Sequence, residues 1–243
     1  METINGEWYM QGCGRDDPDC LHTPEELTAL VRRVGFLALF AGDAPGFSVE
    51  ERTPPDAWWT GEPATDPWEW RKLAAADPGI AYGKFFDKKA GFVSKQWFPA
   101  FANLRRNGYD FDALYDDGFA SHRAKKLMDA LEPDDEARGL VLMTRDLKVK
   151  AGFGTGGERN FEGVLTDLQM KGYLIMSGFR QRVNKRGEPY GWHLAAIGTP
   201  ETKWGYDHIA AGYAEKPADS GARLVRHLTE AFPGADERTA RRL

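Results

Sequence analysis

The order of hydrophobic periodicities in residues 144–197 restricts the fold of this chain more than any other feature of its sequence. A short helical segment, TRDLKVKAG, is followed by a glycine-rich turn and a longer helical segment, NFEGVLTDLQMKG, with four apolar residues on one face. Two extended segments, YLIMSGFRQRV and PYGWHLAAI, then flank the turn NKRGE and predict a β-hairpin, residues 173–197, here called the wing. We expect a β-bulge at Gly178. This order is typical of a winged helix, whose second helix enters a DNA groove while the wing contacts the backbone.

The stretch EPDDEARG is polar, contains proline and separates two parts of the chain. We expect residues 1–138 to form one or more winged-helix-like units with an aromatic cleft, and residues 139–200 to form the clearest winged helix. Residues 201–243 are expected to form a helical segment that packs on residues 139–200. The sequence therefore predicts an α+β, mainly helical fold of tandem winged-helix-like units with short β-hairpins.

Helix starts are marked along the chain by capping residues. Thr23 and Glu26 form a capping box before LTALVRRV, and Asp66 precedes a helix that begins at Pro67. We also expect caps at three further positions, namely Ser94, Thr144 and Ser220. Between the first two helices, FLALF predicts a short buried strand. After the second helix, IAYGKFF and AGFVS predict a hairpin.

Charge is distributed unevenly in a chain whose formal net charge is -5. Residues 1–138 carry 16 Lys and Arg against 25 Asp and Glu, whereas residues 139–243 carry 16 against 12. Within residues 144–186 the counts are 9 and 4. A local basic patch attracts phosphate even when the whole chain is acidic. The alternative is a solvated surface with no ligand.

Several residues of this basic segment are candidates for contact with DNA. They comprise the wing residues Arg180, Arg182, Lys185 and Arg186, and the preceding residues Arg145, Lys148, Arg159 and Asn160. Exposed cations on a hairpin also protect sheet edges and improve solubility, so this pattern leaves both interpretations open. The longer helix carries Glu162 and Asp167 beside Gln169, which weakens the case for base-specific recognition.

Tryptophan is concentrated in one stretch, because residues 53–72 hold four of the eight tryptophans together with four prolines. Aromatic walls with a few polar groups can hold a planar ligand. The candidate pocket residues are Trp58, Trp59, Trp68, Trp70, Arg71, Lys84 and Trp97. The alternative is a loop-rich core fixed by tryptophans.

Other classes of site are disfavoured by the sequence. The two cysteines, Cys13 and Cys20, are expected to be free thiols, and with His22 and Asp16 they form only a weak metal candidate. The stretch GFGTGGER does not match the phosphate-loop pattern, and hydrolase motifs are absent. No apolar run reaches the length of a membrane span. We therefore expect a cytoplasmic protein without a metal, a nucleotide cofactor or a membrane partner.

Three blocks of the chain resemble the bacterial AlkZ-related proteins, which are relatives of the AlkZ-type DNA glycosylases. These blocks are VGFLALF…GFSVEERTPPDAWWTGEPATDPWEWR, IAYGKFFDKKAGFVSKQWFPAFANLRRNGYDFDALYDDG and NFEGVLTDLQMKGYLIMSGF…YGWHLAAIGTPE. The resemblance implies tandem winged-helix units around a cleft, with duplex DNA as the ligand. The enzymes remove alkylated bases without a metal, using a Gln-x-Gln or Gln-x-Asp motif after the first helix.

This chain departs from that motif where catalysis would need it. By position, the resemblance implies that the motif falls near GFLALFAGD, at Leu37 and Leu39 or residues next to them, and leucine can neither orient water nor stabilise charge. Three hypotheses follow. The chain is a non-catalytic or divergent DNA-binding relative, or a divergent glycosylase that uses a carboxylate of Asp43, Glu50 or Glu69. Alternatively, it binds a protein or small ligand and keeps the winged helix as a scaffold. The sequence leaves the oligomeric state open.

Overall fold

The computed structural model describes residues 2–4, 7–132, 139–184, 186–191 and 193–242, so the wing candidate Lys185 lies outside the described residues. The strands are β1 (Glu2–Ile4), β2 (Glu7–Tyr9), β3 (Phe36–Ala38), β4 (Ile80–Phe86), β5 (Lys89–Ser94), β6 (Leu142–Met143), β7 (Ile175–Arg180) and β8 (Leu194–Gly198). The helices are α1 (Pro24–Val34), α2 (Pro67–Ala76), α3 (Phe98–Arg106), α4 (Phe111–Asp116), α5 (His122–Asp129), α6 (Thr144–Lys150), α7 (Phe161–Met170), α8 (Pro200–Trp204), α9 (Tyr206–Ala210), α10 (Pro217–Ala231) and α11 (Glu237–Arg242).

In the described part of the chain, six strands form one antiparallel sheet in the order β3-β5-β4-β7-β8-β6, and β1 pairs with β2 separately. The two halves of the sheet meet where Tyr82 of β4 pairs with Met176 of β7. The bulge expected at Gly178 is confirmed by a register shift between Met176 and Gly178. With 45% helix and 16% strand, the α+β prediction is confirmed. Among the described residues no helix has the length and apolar character to cross a membrane.

Two hydrophobic clusters among the described residues pack against this sheet. The first contains side chains of α1, α2, α3 and α10 with those of β3, β4 and β5. The second contains side chains of α4, α5, α6 and α7 with Tyr173, Leu174 and Ile197. Helices α4 and α5 therefore share a core with residues 139–200, although they precede the stretch that we took as the boundary.

The first two helix starts form as predicted because their capping groups are local. Thr23 Oγ1 accepts from the Glu26 amide at 3.2 Å, and Glu26 Oε2 accepts from the Thr23 amide at 3.2 Å. Asp66 Oδ1 accepts from the Trp68 amide at 2.8 Å. Helix α1 ends at Gly35, whose φ of 82° is one that residues with a Cβ rarely adopt.

Two of the other expected caps are wrong. Ser94 ends β5, its hydroxyl has no hydrogen-bond partner, and α3 begins only at Phe98. Thr144 lies inside α6 rather than before it, and its hydroxyl donates to the Ala195 carbonyl at 2.8 Å. In both cases the sheet determines the position of the hydroxyl more strongly than the following helix does.

The prediction for the C-terminal segment also differs from the structure. Helix α10 begins at Pro217, so Ser220 lies in its first turn and is not its cap. The Ser220 hydroxyl donates to Glu215 Oε1 at 2.6 Å and accepts from Asn103 Nδ2 of α3 at 2.9 Å. The apolar side of α10 packs on α3 in the first cluster, instead of on residues 139–200. Burial of this amphipathic face against the larger core explains the arrangement.

Candidate nucleic-acid interface

A row of aromatic rings follows the loop before α2. The ring of Phe40 lies 5.4 Å from that of Trp58 and 6.3 Å from that of Trp68, and Trp58 lies 5.8 Å from Trp59. Trp58 is buried, and its indole Nε1 donates to Thr53 Oγ1 at 2.9 Å. These four aromatic residues are here called the tryptophan cluster. It is an ordered structure, in agreement with the alternative of a core fixed by tryptophans.

Trp59 is the exposed member of the tryptophan cluster, with 51% of its surface accessible and a φ of 60°. This conformation is held by the buried carboxylate of Asp66, which accepts from the amides of Trp59 at 3.1 Å and Gly61 at 2.9 Å. The same carboxylate caps α2. Asp66 therefore fixes both the loop and the helix, a role that its capping position alone did not reveal.

Four of the seven predicted pocket residues lie outside the tryptophan cluster, and one of them, Arg71, contacts its member Trp68. Trp70 is wholly buried in the first hydrophobic cluster. Trp97 stacks on His227, with ring centroids 4.0 Å apart. Lys84 extends towards α7, where its Nζ lies 3.4 Å from Thr166 Oγ1. The predicted set of seven residues is therefore not one pocket.

Arg71 connects α2 to the wing. Its Cζ lies 3.6 Å from the ring centroid of Trp68 and 4.5 Å from that of Phe179 in β7, so the guanidinium is held between two aromatic rings. Burial lowers the pKa of Arg71. Cation–π contacts of this kind strengthen when water is excluded. The tryptophan stretch and the wing thus meet at this side chain.

The next contact between α2 and the wing involves Lys72. Its Nζ forms an ion pair with Glu69 and lies 3.2 Å from Nδ1 of His193. Glu69, a candidate catalytic carboxylate, is thus already paired with a cation of its own helix.

Leu37 and Leu39, where the resemblance leads us to expect the family's catalytic motif, are wholly buried. Leu37 pairs with Phe92 across β3 and β5, and Phe92 also pairs with Tyr82. Directly paired residues share a face of the sheet, so Leu37 lies in an apolar layer with these two rings.

The remaining carboxylate candidates differ in their surroundings. Glu50 is wholly buried, and its two oxygens accept from the amides of Gln11 at 3.0 Å and Ala41 at 2.9 Å. Asp43 is exposed and lines a cavity of about 430 Å³ with Phe40 and Lys89. Asp43 thus lies at the edge of a cavity.

The described cations of the wing differ in their exposure and contacts. Arg180 and Arg186 are exposed, whereas Arg182 lies over the Tyr190 ring at 4.5 Å and donates to its hydroxyl at 2.9 Å. Because side chains alternate along a strand, Arg180 points away from the face on which Phe179 meets Arg71. The wing therefore offers cations on one face and an aromatic contact on the other.

The cations before the wing are exposed as well. Arg145 and Lys148 lie on α6, and the Nζ of Lys148 is 5.8 Å from the ring of Phe161 at the start of α7. Arg159 precedes α7 and is exposed. Within the described residues, none of six candidate cations forms an ion pair: Arg145, Lys148, Arg159, Arg180, Arg182 and Arg186.

Nearby cations of α5 are neutralised instead. Glu158 accepts from Lys126 Nζ at 2.9 Å and from Arg123 Nε at 3.1 Å. These two bonds hold the pKa of Glu158 below its ordinary value. These two cations of α5 are therefore paired, unlike the six candidates.

Asn160 and Gln169, the amide residues considered on α7, have different positions. Asn160 is exposed and has a φ of 66°. Its side chain lies against Gly163, where a side chain would not fit, because a Cβ on residue 163 would lie 2.4 Å from Asn160 Oδ1. Gln169 is wholly buried, accepts from the Lys84 amide at 3.0 Å and donates to the Leu165 carbonyl at 3.3 Å. Gln169 is therefore a packing residue between α7 and β4 and does not reach a base.

The two cysteines are free thiols, as expected, and their side chains are in hydrogen-bond contact. Among the described residues, no group of three or more His, Cys, Asp or Glu has an arrangement that could hold a metal ion.

These features define an α+β protein in which a helix rich in tryptophan and a basic hairpin meet at one buried arginine. A sequence profile of the family described as AlkZ related matches residues 21–243, and the chain belongs to this AlkZ-related family. No curated protein and no solved structure gave a significant match to the chain.

Proposed function

We propose that this protein binds duplex DNA through the wing and the cations that precede it, as a relative of DNA repair glycosylases without their catalytic pair. The observation that carries the proposal is the set of six candidate cations without an ion pair in the described part of the chain. Unpaired cations can neutralise phosphates and release counterions at no cost in protein ion pairs. Membership of the AlkZ-related family supports DNA as the ligand.

The order of elements supports tandem winged-helix-like units. The first half has the order helix, strand, helix and hairpin, as α1, β3, α2 and β4–β5. The second half has this order with one additional helix, as α5, β6, α6, α7 and β7–β8. In both halves the first strand pairs with the last, giving the orders β3-β5-β4 and β6-β8-β7. We interpret the sheet as two such units joined edge to edge at β4 and β7.

Backbone contact is favoured over base reading. Helix α7 would be the recognition helix of a winged helix, yet its exposed face presents Glu162 and Asp167 while Gln169 is buried. Carboxylates repel phosphate, and a buried amide cannot reach a base edge. Recognition by shape and phosphate contact therefore fits the α7 surface better than sequence-specific recognition.

Loss of the usual chemistry fits the environment of β3. Leu37 and Leu39 are packed in the core, Glu50 is saturated by backbone amides and Glu69 is paired with Lys72. A glycosylase must stabilise a sugar that develops positive charge, which an apolar layer cannot do. We therefore favour a binding protein over an enzyme.

The proposal is tested by duplex affinity at two salt concentrations, for the wild type, Arg180→Ala, Arg186→Ala and the double variant. Affinity should fall with salt, and each variant should reduce the slope of log K against log salt by about 0.9 if it loses one phosphate contact. Arg226→Ala is the matched control, because Arg226 is exposed on α10 and has no ion pair among the described residues. Equal salt dependence in all five proteins, or no binding at low salt, would contradict DNA binding and favour a ligand-binding or protein-binding module.

One observation keeps a second candidate function open. Asp43 is exposed at the edge of the 430 Å³ cavity beside Phe40, so a carboxylate and an aromatic wall are present together. A divergent glycosylase would use Asp43 as a base or electrostatic stabiliser. Release of an alkylated base from damaged duplex, abolished by Asp43→Asn, would establish this function, and absence of release across several lesions would exclude it.

A further inference from the structure

Among the described residues, the buried guanidinium of Arg71 has no hydrogen-bond acceptor. The residue is 7% exposed, its Nε has no hydrogen-bond partner, and no carboxylate forms an ion pair with it among the described residues. Burial of a positive charge without a partner is costly, and an unsatisfied donor in the core adds to that cost. Stacking on Trp68 and Phe179 positions the plane of the guanidinium but leaves its donors free.

The charged groups near Arg71 are one lysine and two carboxylates, and both carboxylates already have partners of their own. Lys72 follows it in α2, and His193 of the wing lies 3.2 Å from the Lys72 Nζ. Burial and the neighbouring Lys72 lower the pKa of His193, with a smaller lowering from Arg71. The opposing carboxylates are Glu69, which is paired with Lys72, and Asp66, whose oxygens accept from backbone amides.

We propose that Arg71, Lys72 and His193 form a phosphate-binding site at the junction of α2 and the wing. A guanidinium held in one plane presents a fork of donors that matches two phosphate oxygens, and an ammonium and an imidazole supply further donors from the side. A bound phosphate would satisfy the unpaired Arg71 and bridge the first and second halves of the sheet. This site lies on the Phe179 side of β7, opposite Arg180, and so does not rest on the DNA contacts proposed above.

The phosphate has two possible sources with the same chemistry, a nucleic-acid backbone or a free phosphate ester. Inorganic phosphate is therefore the primary probe, a short duplex is the second and a nucleoside monophosphate is the third. Each is titrated at constant ionic strength against chloride as the reference anion.

The readout is the ¹H–¹⁵N resonance of the Arg71 Nε–H group, since burial protects this proton from exchange. We expect a saturable shift with phosphate and none with chloride. Lys72→Met and His193→Gln keep Arg71 as the reporter, and Lys72→Met should weaken phosphate binding by about tenfold if one charge-assisted hydrogen bond is lost. Arg226→Gln should leave binding unchanged.

Arg71→Lys supplies an independent measurement, because it keeps the charge but loses the planar fork. Phosphate should raise the melting temperature of the wild type and fail to raise that of Arg71→Lys. If Arg71→Lys does not fold, the Lys72→Met and His193→Gln titrations decide alone. Tighter binding of duplex than of nucleoside monophosphate, per phosphate, would assign the site to nucleic acid, and the reverse order would assign it to a free ester.

The inference is overturned if the Arg71 resonance responds equally to chloride and phosphate, or if both reporter variants bind phosphate as the wild type does. Either result leaves the salt-dependent DNA titration unaffected. Conversely, phosphate binding at Arg71 with no duplex affinity would support this site and contradict the DNA-binding proposal.

Discussion

Arg106 and Glu201 form an ion pair, with 2.6 Å between Nη1 and Oε1, that connects α3 to α8. The Arg106 side chain is buried and also donates to the Tyr213 hydroxyl at 2.9 Å and to the Gly172 carbonyl at 2.7 Å. One guanidinium therefore connects α3 to α8, to the short helix Ala211–Ala214 and to the turn after α7. The Arg106 Nε has no hydrogen-bond partner among the described residues and Glu201 is 27% exposed, yet removal of one member would still leave the other without its partner.

Replacement of Arg106 by methionine is expected to destabilise the protein by about 3–5 kcal/mol, since Glu201 and the Gly172 carbonyl lose their buried partner. The free energy of unfolding in urea measures this effect. Arg226→Met is the exposed control and should change stability by about 0.5 kcal/mol or less. A loss for Arg106→Met as small as that of the control would show that water replaces the guanidinium.

The pH dependence of stability should contain a contribution from Lys203. Its Nζ donates to the carbonyls of Ala75 at 3.0 Å and Ile80 at 2.6 Å, and burial lowers the pKa of Lys203 to about 8. The unfolded-state pKa is about 10.4, so between these values the unfolded chain binds more protons and stability rises with pH.

The wild type minus Lys203→Met difference in unfolding free energy should therefore increase between pH 8 and about 10, by at most about 1.4 kcal/mol per pH unit. Taking the difference removes the titration of other groups. Parallel curves for the two proteins over this range would contradict a lowered Lys203 pKa.

Oxidation is expected to join Cys13 to Cys20. The Cys13 amide donates to the Thr53 carbonyl. Two successive turns, in which the Asp17 amide donates to the Gly14 carbonyl and the Cys20 amide to the Asp17 carbonyl, bring Cys20 back to Cys13. Burial, followed by the hydrogen bond to Cys20, raises the pKa of Cys13 to about 12. The thiol is therefore protonated at neutral pH, and reaction should accelerate as pH rises.

With glutathione disulfide as the oxidant, the two thiols should form one intramolecular disulfide and release two molecules of glutathione. Intact mass with alkylation of free thiols detects the loss of two hydrogen atoms. Cys20→Ser should stop at a mixed disulfide on Cys13. Stable glutathione adducts on both cysteines of the wild type would refute this pairing.

Placing polar residues at Leu37 and Leu39, where the resemblance leads us to expect the catalytic motif, should damage the fold before it restores chemistry. Leu37→Gln and Leu39→Gln each place an amide in an apolar layer, and we expect losses of about 2–4 kcal/mol per substitution. Leu73→Gln on the exposed surface of α2 is the matched control, with a change of about 0.5 kcal/mol or less.

No release of alkylated base is expected from these variants, as measured on damaged duplex. Base release by a stable Leu37→Gln protein would mean that the surrounding groups of a glycosylase site are still in place. It would also indicate that the polar pair was lost without rearrangement of the core around Leu37 and Leu39.

The sequence was sufficient to predict a helix start where both partners of the capping hydrogen bond are close in the chain. Thr23 with Glu26, and Asp66 with Trp68, lie within three residues of each other, so the helix starts follow from residue type and spacing. The hairpin β4–β5 and the bulge at Gly178 are predictable for the same reason. Ser94 and Thr144 show the limit, because a β-strand decided their surroundings.

The tertiary structure alone decided which candidate residues meet. Arg71 and Phe179 are more than one hundred positions apart, and their contact requires β4 to pair with β7. The burial of Gln169 against β4 depends on the same pairing. The sequence thus determined the helices, the hairpins and the exposed basic segment through local hydrogen bonding and periodicity. Only packing of the two halves placed one unpaired arginine between the tryptophan stretch and the wing.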